Sequence, residues 1–156
     1  MFVGWHMGQQ IDEIGPLAPL MGYHLRRASG AFAADFAAAV EGTGMRQVLV
    51  GVLAVVSGNP GIKQGEVGAI LGIKRANMVS LITELTEAGY LTREANPTDK
   101  RVVALHITDA GRAMLDQCVA RITAHEQRML AGFTDAEKAT LLELLGRIER
   151  RASAVA

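Results

Sequence analysis

Residues 45–57 read MRQVLVGVLAVVS, a run apolar on nearly every side. An amphipathic element needs cover on one face only, but this one must be buried wherever it sits. Its valines suit a strand as well as a helix, and with no polar face the periodicity does not choose between them. Punctuation on both sides is clear. Gly42-Thr43-Gly44 breaks the chain before it and Asn59-Pro60-Gly61 turns the chain after it.

The neighbouring segments have the faces this run lacks. Leu17, Met21, Leu25, Ala28, Phe32, Phe36 and Val40 recur at spacings of three or four, which predicts one long amphipathic helix upstream. Downstream, residues 63–71 predict a short helix with Val67, Ile70 and Leu71 inward. A second helix, from about Lys74 to Ala88, turns Met78, Leu81, Ile82 and Leu85 inward and has Gly89 as its cap. Two short β-type runs follow, Tyr90 to Glu94 and Val102 to Ile107. The turn formers of residues 96–101 lie between them, which predicts a hairpin. Thr108-Asp109 supplies an N-cap for a long helix bearing Met114, Leu115, Cys118, Val119, Ile122, Met129 and Leu130. Thr134 to Glu137 reads as a capping box opening a last helix whose apolar face is Leu141, Leu144, Leu145 and Ile148. The fold class is mainly α with one small β-hairpin that leans on the helices.

The two short central helices fit a helix-turn-helix. Steeply crossing helices need a small residue at the crossing and a turn residue tolerant of positive φ, which Gly68 and Gly72 provide. Val67, Leu71, Ile73, Met78 and Leu81 pin the pair. The exposed side of the second helix is then Lys74, Arg75, Asn77, Ser80 and Thr83, side chains that hydrogen-bond phosphates and base edges. Asn77 and Ser80 project from its middle, where base edges are reached, and Lys74 and Arg75 sit at its start, closer to a phosphate strand. Sixteen basic and sixteen acidic residues leave the chain with no net charge, so the test for nucleic acid is local. From Gly72 to Thr83 there are two bases and no acid. The hairpin tip adds Lys100 and Arg101 on a ribbon thin enough for a minor groove, with Asp99 placed to orient the Arg101 guanidinium.

The stretch LGIKRANMVSLITELTEAGYLTREANPTDKRVVALHIT, residues 71–108, resembles the MarR family of transcription regulators. The resemblance rests on Asp99-x-Arg101 followed by Val103, Leu105 and Thr108, preceded by Gly89-Tyr90-Leu91 and Arg93. It extends more weakly to residues 17–150 through the helix order. The chain departs from the family at Val67, where Leu is commoner, and at His106. The resemblance implies that residues 45–57 are helical and that the fold is a winged helix-turn-helix. It also implies a homodimer built from the first and the last two helices. Residues 1–16 then form an N-terminal arm, 17–44 and 108–152 a helical dimerisation region, and 45–107 the DNA-binding lobe. Family members usually repress, and many release double-stranded DNA on binding small aromatic acids. A repressor of operators with half-sites about 10 base pairs apart is the expected function.

Met21, Phe32 and Phe36 offer an apolar wall, and His24, Arg27 and Arg46 offer donors, so these six are the candidate site for an aromatic anion or its thioester. Snorkelling and interfacial ion pairing, with Arg26, account for the same charges structurally. Cys118 invites a redox-responsive reading, but its place on an apolar stripe favours an inert buried thiol. A metal-responsive reading would draw on His6, His24, His106 and His125, no two of which stand at ligand spacing along a helix. No metal site or cofactor is expected. No nucleophile elbow, phosphate loop or paired catalytic carboxylates indicate an enzyme. A winged-helix protein-interaction module is the alternative of a different class, and salt-dependent DNA binding discriminates the two. The lone cysteine suits the cytoplasm. No apolar run approaches the ~20 residues of a membrane span. Met1-Phe2-Val3 lacks the flanks of a signal peptide, and reads as an ordered arm or an extension before Met7. Arg101→Ala is expected to weaken operator binding by about 1–3 kcal/mol, and Asp99→Ala by less. Normal binding by Arg101→Ala at physiological salt would remove the minor-groove role.

Overall fold

The computed structural model describes residues 14–95 and 103–155. After a single 3-10 turn at Gly15–Leu17 the chain forms α1 (Met21–Ala39), α2 (Gln47–Gly58), β1 (Ile62–Lys63), α3 (Gln64–Leu71) and α4 (Arg75–Glu87). Then come β2 (Leu91–Ala95), β3 (Val103–Ile107), α5 (Asp109–Met129) and α6 (Asp135–Val155).

The all-round apolar run is the helix α2, and it is buried as its composition demands. Val52, Leu53 and Val56 have no exposed surface, and Leu49 and Val50 are buried beside them. Helices α1, α3, α4 and α5 and strand β3 all pack against α2. That tertiary setting settles the helix-or-strand ambiguity. Five neighbours cover the circumference of a helix, and no strand of the sheet pairs with this segment.

Helices α3 and α4 form the helix-turn-helix. Gly72 adopts φ +64°, and Ile73 donates its amide to the Gly68 carbonyl at 2.8 Å. A Cβ on Gly68 would stand 2.9 Å from the Ile73 oxygen and 3.0 Å from Met78 Cγ, so the missing side chain is what permits the crossing. The inward direction of α3 therefore bisects Val67 and Gly68, both buried. Ile70, expected inward, falls outside that arc and is 59% exposed.

The hairpin strands pair antiparallel with Leu91 opposite Ile107 and Arg93 opposite Leu105. The sheet has a third member not foreseen from the sequence. β1 pairs with β3 through Ile62–Leu105 and Lys63–Ala104, giving the order β1-β3-β2. Two residues are too few to show a period-2 pattern. Thr108 closes the lobe. Its hydroxyl accepts from the Gly111 amide at 3.0 Å and donates to the Gly89 carbonyl at 2.7 Å, tying the start of α5 to the end of α4.

Helix α1 begins at Met21 rather than at Leu17. The apolar spacing runs across Leu20, whose extended backbone (φ −85°, ψ 106°) separates the 3-10 turn from the helix. The capping box at the start of α6 is formed. Glu137 Oε2 accepts from the Thr134 amide at 2.7 Å, and this bond and that from the Thr134 hydroxyl hold the Glu137 carboxyl below its usual range. Helix α6 has no extensive packing partner within the chain. Leu141, Leu142, Leu144 and Ile148 are exposed along it, and Leu17, Leu20 and Met21 are exposed at the other end of the sequence. Gly68→Ala is expected to cost about 1–3 kcal/mol through overpacking, read as a fall of about 2–4 °C in Tm per kcal/mol. An unchanged Tm at equal protein concentration would show that the crossing has slack.

Candidate nucleic-acid interface

Helix α4 has one buried side, made by Met78, Leu81, Ile82 and Leu85. At 100° per residue the opposite direction is occupied by Ala76, Ser80, Thr83 and, at the last residue of the helix, the exposed acid Glu87, with Val79 on one flank and Asn77 and Glu84 on the other. Lys74, Arg75, Asn77 and Ser80 are exposed, as the sequence predicts. Asn77 is not at the middle, however. It lines the groove between α4 and the start of α2 together with Val48, Ile73 and Lys74.

The polar groups of this face are partly engaged with one another. Ser80 Oγ donates to the Asn77 carbonyl at 2.9 Å. Thr83 is half-buried, and its Oγ1 accepts from Arg93 Nη2 at 2.9 Å. Arg93 stands opposite Leu105, a buried residue, so the register turns that face of β2 toward the helices and delivers the guanidinium to α4. Arg93 thus adds a third positive charge to this face, toward the end of α4 opposite Lys74 and Arg75. The sequence contains the residue but not the contact, because helix and strand meet only through the turn at Gly89. Asp99, Lys100 and Arg101, the expected wing tip, lie outside the described residues, as do His6 and residues 1–13 of the expected arm.

Arg46, at the N-cap of α2, donates two parallel hydrogen bonds to Glu84, Nη1 to Oε1 at 2.5 Å and Nη2 to Oε2 at 2.7 Å. The pair raises the Arg46 pKa and lowers that of Glu84, chiefly through those bonds. Glu84 therefore favours the folded state above its unfolded pKa, and that favour is lost as pH falls through the folded value. Both side chains are about half exposed, so the pair contributes only about 0.2–1 kcal/mol. Its larger effect is electrostatic. It neutralises a cation at the edge of the recognition surface.

The six residues expected to hold a ligand are not brought together. Phe32 and Phe36 line a cleft of about 220 Å³ with Ser29, Ala33, Asp35, Gln47, Ile122 and Glu126, between α1, the start of α2 and α5. Met21 is exposed on the first turn of α1. His24 Nε2 is bonded to the Ala18 carbonyl at 2.8 Å, and the Arg27 guanidinium lies 5.8 Å from the centre of the Tyr23 ring. Arg46 is held by Glu84. The physical reason is position along the helix axis. Residues 21, 24 and 27 lie on the first two turns of α1, and the cleft opens beside its last three. In place of those donors the cleft has Asp35, whose Oδ1 is 2.8 Å from His125 Nδ1 on α5.

Cys118 is fully buried, with Sγ 3.9 Å from Met114 Sδ, and burial pushes its thiol pKa up. A raised pKa and no solvent access disfavour thiolate chemistry. Among the described residues no group of three His, Cys, Asp or Glu is placed to hold a metal ion, and no helix is long and apolar enough to cross a membrane.

A helix-turn-helix with a basic, polar outer face, backed by a small β-sheet wing, defines a winged helix-turn-helix DNA-binding protein. Comparison with known proteins gives the family. A sequence model of the MarR family matches residues 48–102. A Thauera aromatica protein proposed as the transcriptional regulatory protein for the hcr operon is 34% identical over 140 residues, 89% of this chain and 84% of that protein. The transcriptional repressor CouR bound to a 23-mer DNA duplex superposes with a TM-score of 0.83 at 32% identity, covering 87% of this chain and 96% of that one. CouR from Rhodococcus jostii RHA1 bound to p-coumaroyl-CoA gives 0.75 at 29%, covering 86% and 94%. The chain belongs to the MarR family and is a DNA-binding transcriptional regulator. Glu84→Gln, which frees Arg46 and removes an acid beside α4, is expected to tighten DNA binding and steepen its salt dependence by about one unit of log–log slope. An unchanged slope would place Arg46 out of reach of phosphate.

Proposed function

We propose that two copies of this chain bind a pseudo-palindromic operator in the cytoplasm, repress the adjoining genes, and leave the DNA when a small aromatic acid or its thioester binds. The observation that carries this reading is the outer face of α4, where Lys74, Arg75 and Arg93 surround hydroxyl and amide groups on a chain with no net charge. Such a face gives phosphate anchoring at its ends and base contact between them. CouR, similar along nearly its whole length, was captured on DNA.

Dimerisation rests on the apolar residues left uncovered at both ends of the chain. Leu17, Leu20, Met21, Leu141, Leu142, Leu144 and Ile148 are too many large exposed side chains for a stable monomer. A two-fold partner laid along α1, α5 and α6 covers them and sets two α4 helices about one helical turn of DNA apart. Residues 17–44 and 108–152 are on this reading the dimerisation region and 45–107 the DNA-reading lobe, with Lys100, Arg101 and Asp99 acting at the wing tip.

The ligand cleft is the one lined by Phe32, Phe36 and Ile122. Asp35 and Glu126 at its wall disfavour a free carboxylate by like-charge repulsion. A thioester has no such charge at its acyl end, so it suits the cleft better than the parent acid. Gln47 belongs to this cleft, and its chain neighbour Arg46 grips Glu84 on α4, so a ligand pressing on the start of α2 acts on the recognition helix through one ion pair. The coupling such a device can carry is bounded by the worth of that pair, about 0.2–1 kcal/mol.

The test is anisotropy of labelled duplexes from the DNA upstream of the protein's own gene, across a salt series, with light scattering for mass. A dimer is expected, with affinity falling steeply as salt rises and weakened by Lys74→Ala and Arg75→Ala. Aromatic acids and their coenzyme A thioesters are then titrated, and the thioesters are expected to release the DNA, less so after Phe36→Ala. A monomer at micromolar concentration, or binding indifferent to salt, would overturn the operator reading. Release unaffected by Phe36→Ala would move the ligand to another site.

A further inference from the structure

Val79 is an anomaly on the recognition helix. It is 51% exposed, on a helix interior that gains nothing from it. A β-branched residue is a weaker helix former than Ala at such a position, and its apolar surface there is left in water. Ala76, three residues earlier on the same side, is exposed too. The two make an apolar patch within a surface otherwise built of Lys74, Arg75, Asn77 and Ser80.

The hydroxyl groups nearest that patch already have partners. Ser80 spends its proton on the Asn77 carbonyl, and Thr83 accepts from Arg93. Their capacity to read a base edge is reduced to what remains, the lone pairs of Ser80 and the proton and one lone pair of Thr83. The major groove has one apolar feature, the C5-methyl group of thymine, and a small aliphatic side chain is what meets it.

We propose that Val79, with Ala76 beside it, reads the C5-methyl group of a thymine in each half-site of the operator. This rests on the operator-binding reading above and names a specificity determinant within it. Lys74, Arg75 and Arg93 then supply affinity that any sequence shares, and the Val79 contact supplies a preference for one base pair. The preference needs no hydrogen bond. It comes from removing a methyl group and two valine methyls from water together.

The experiment deletes the methyl group from the DNA without touching its hydrogen-bonding pattern. Duplexes are selected from a random pool by the wild-type protein, and each thymine of the selected sequence is replaced in turn by deoxyuridine. Wild type is expected to lose about fourfold in affinity at one position per half-site, the change that burial of one methyl group gives. Val79→Ala is expected to bind the thymine and deoxyuridine duplexes equally, at the weaker level. Its thermal midpoint is expected to hold or rise, since Ala is the better helix former at an exposed position. Indifference of the wild type to every replacement would overturn the proposal, as would a Val79→Ala variant that keeps the thymine preference. A pool from which wild type retains no sequence would instead overturn the operator reading itself.

Discussion

Helix α2 has to be covered on all sides, and that requirement organises the molecule. Val52, Leu53 and Val56 are wholly excluded from solvent, and every helix but the last touches the cylinder they define. α4 is held against it through Leu81, Ile82 and Leu85, β3 through Leu105, and α5 through Leu115 and Cys118. The pose of the recognition helix is thus a consequence of core packing. Two close approaches need bare backbone, Gly68 at the crossing with α3 and Gly111 of α5 against the Tyr90 carbonyl just past α4. A buried core that grips α4 from behind leaves its outer face free of structural duty, and residues there can be chosen for what they contact.

Electrostatics divide along the same line. A chain with sixteen positive and sixteen negative residues has no long-range pull on DNA as a whole. What it has is a local arrangement, with Lys74, Arg75 and Arg93 on the outer surface and one acid of α4, Glu84, occupied by Arg46. The Arg46–Glu84 pair is weak as a stabiliser because both groups are wet. Its position matters more, since one end is fixed to the start of α2, next to the Phe32–Phe36 cleft, and the other to α4. A pair worth a fraction of a kcal/mol can be remade without unfolding anything, which is a property a switch requires.

The ends of the chain follow a different logic from the lobe. α6 has an apolar stripe and almost nothing within its own chain to place it on. The lobe buries most of its large hydrophobic groups internally, Ile70 and Val79 excepted. The terminal elements do not, and in the proposed assembly a second copy completes them. The capping box at Thr134 and Glu137 lets α6 start cleanly without that support, since it satisfies the first amides locally.

Much of this was legible in the residues. Spacing showed α1, α4, α5 and α6, Gly68 and Gly72 marked the helix-turn-helix, and Thr108 and Thr134 marked helix starts that the structure keeps. These are local properties, set by the period of apolar residues and by backbone groups that need nearby partners. The same local reading missed β1, which is two residues long, turned Ile70 inward, and put Asn77 at the middle of the outer face. It also grouped His24, Arg27 and Arg46 with Phe32 and Phe36, though each charged group has its own partner elsewhere. By itself the sequence determined most of the helical segments, the capped starts of α5 and α6, and which sides are apolar. Periodicity left residues 45–57 open between helix and strand, and only the family resemblance implied a helix; the tertiary structure alone decided that the helix runs from Gln47 to Gly58, that Arg93 meets Thr83, that Arg46 meets Glu84, and that Val79 faces solvent. Those outcomes depend on how far around its axis each helix is turned when several neighbours compete for one core, and a rotation set by the whole packing is written in no single segment.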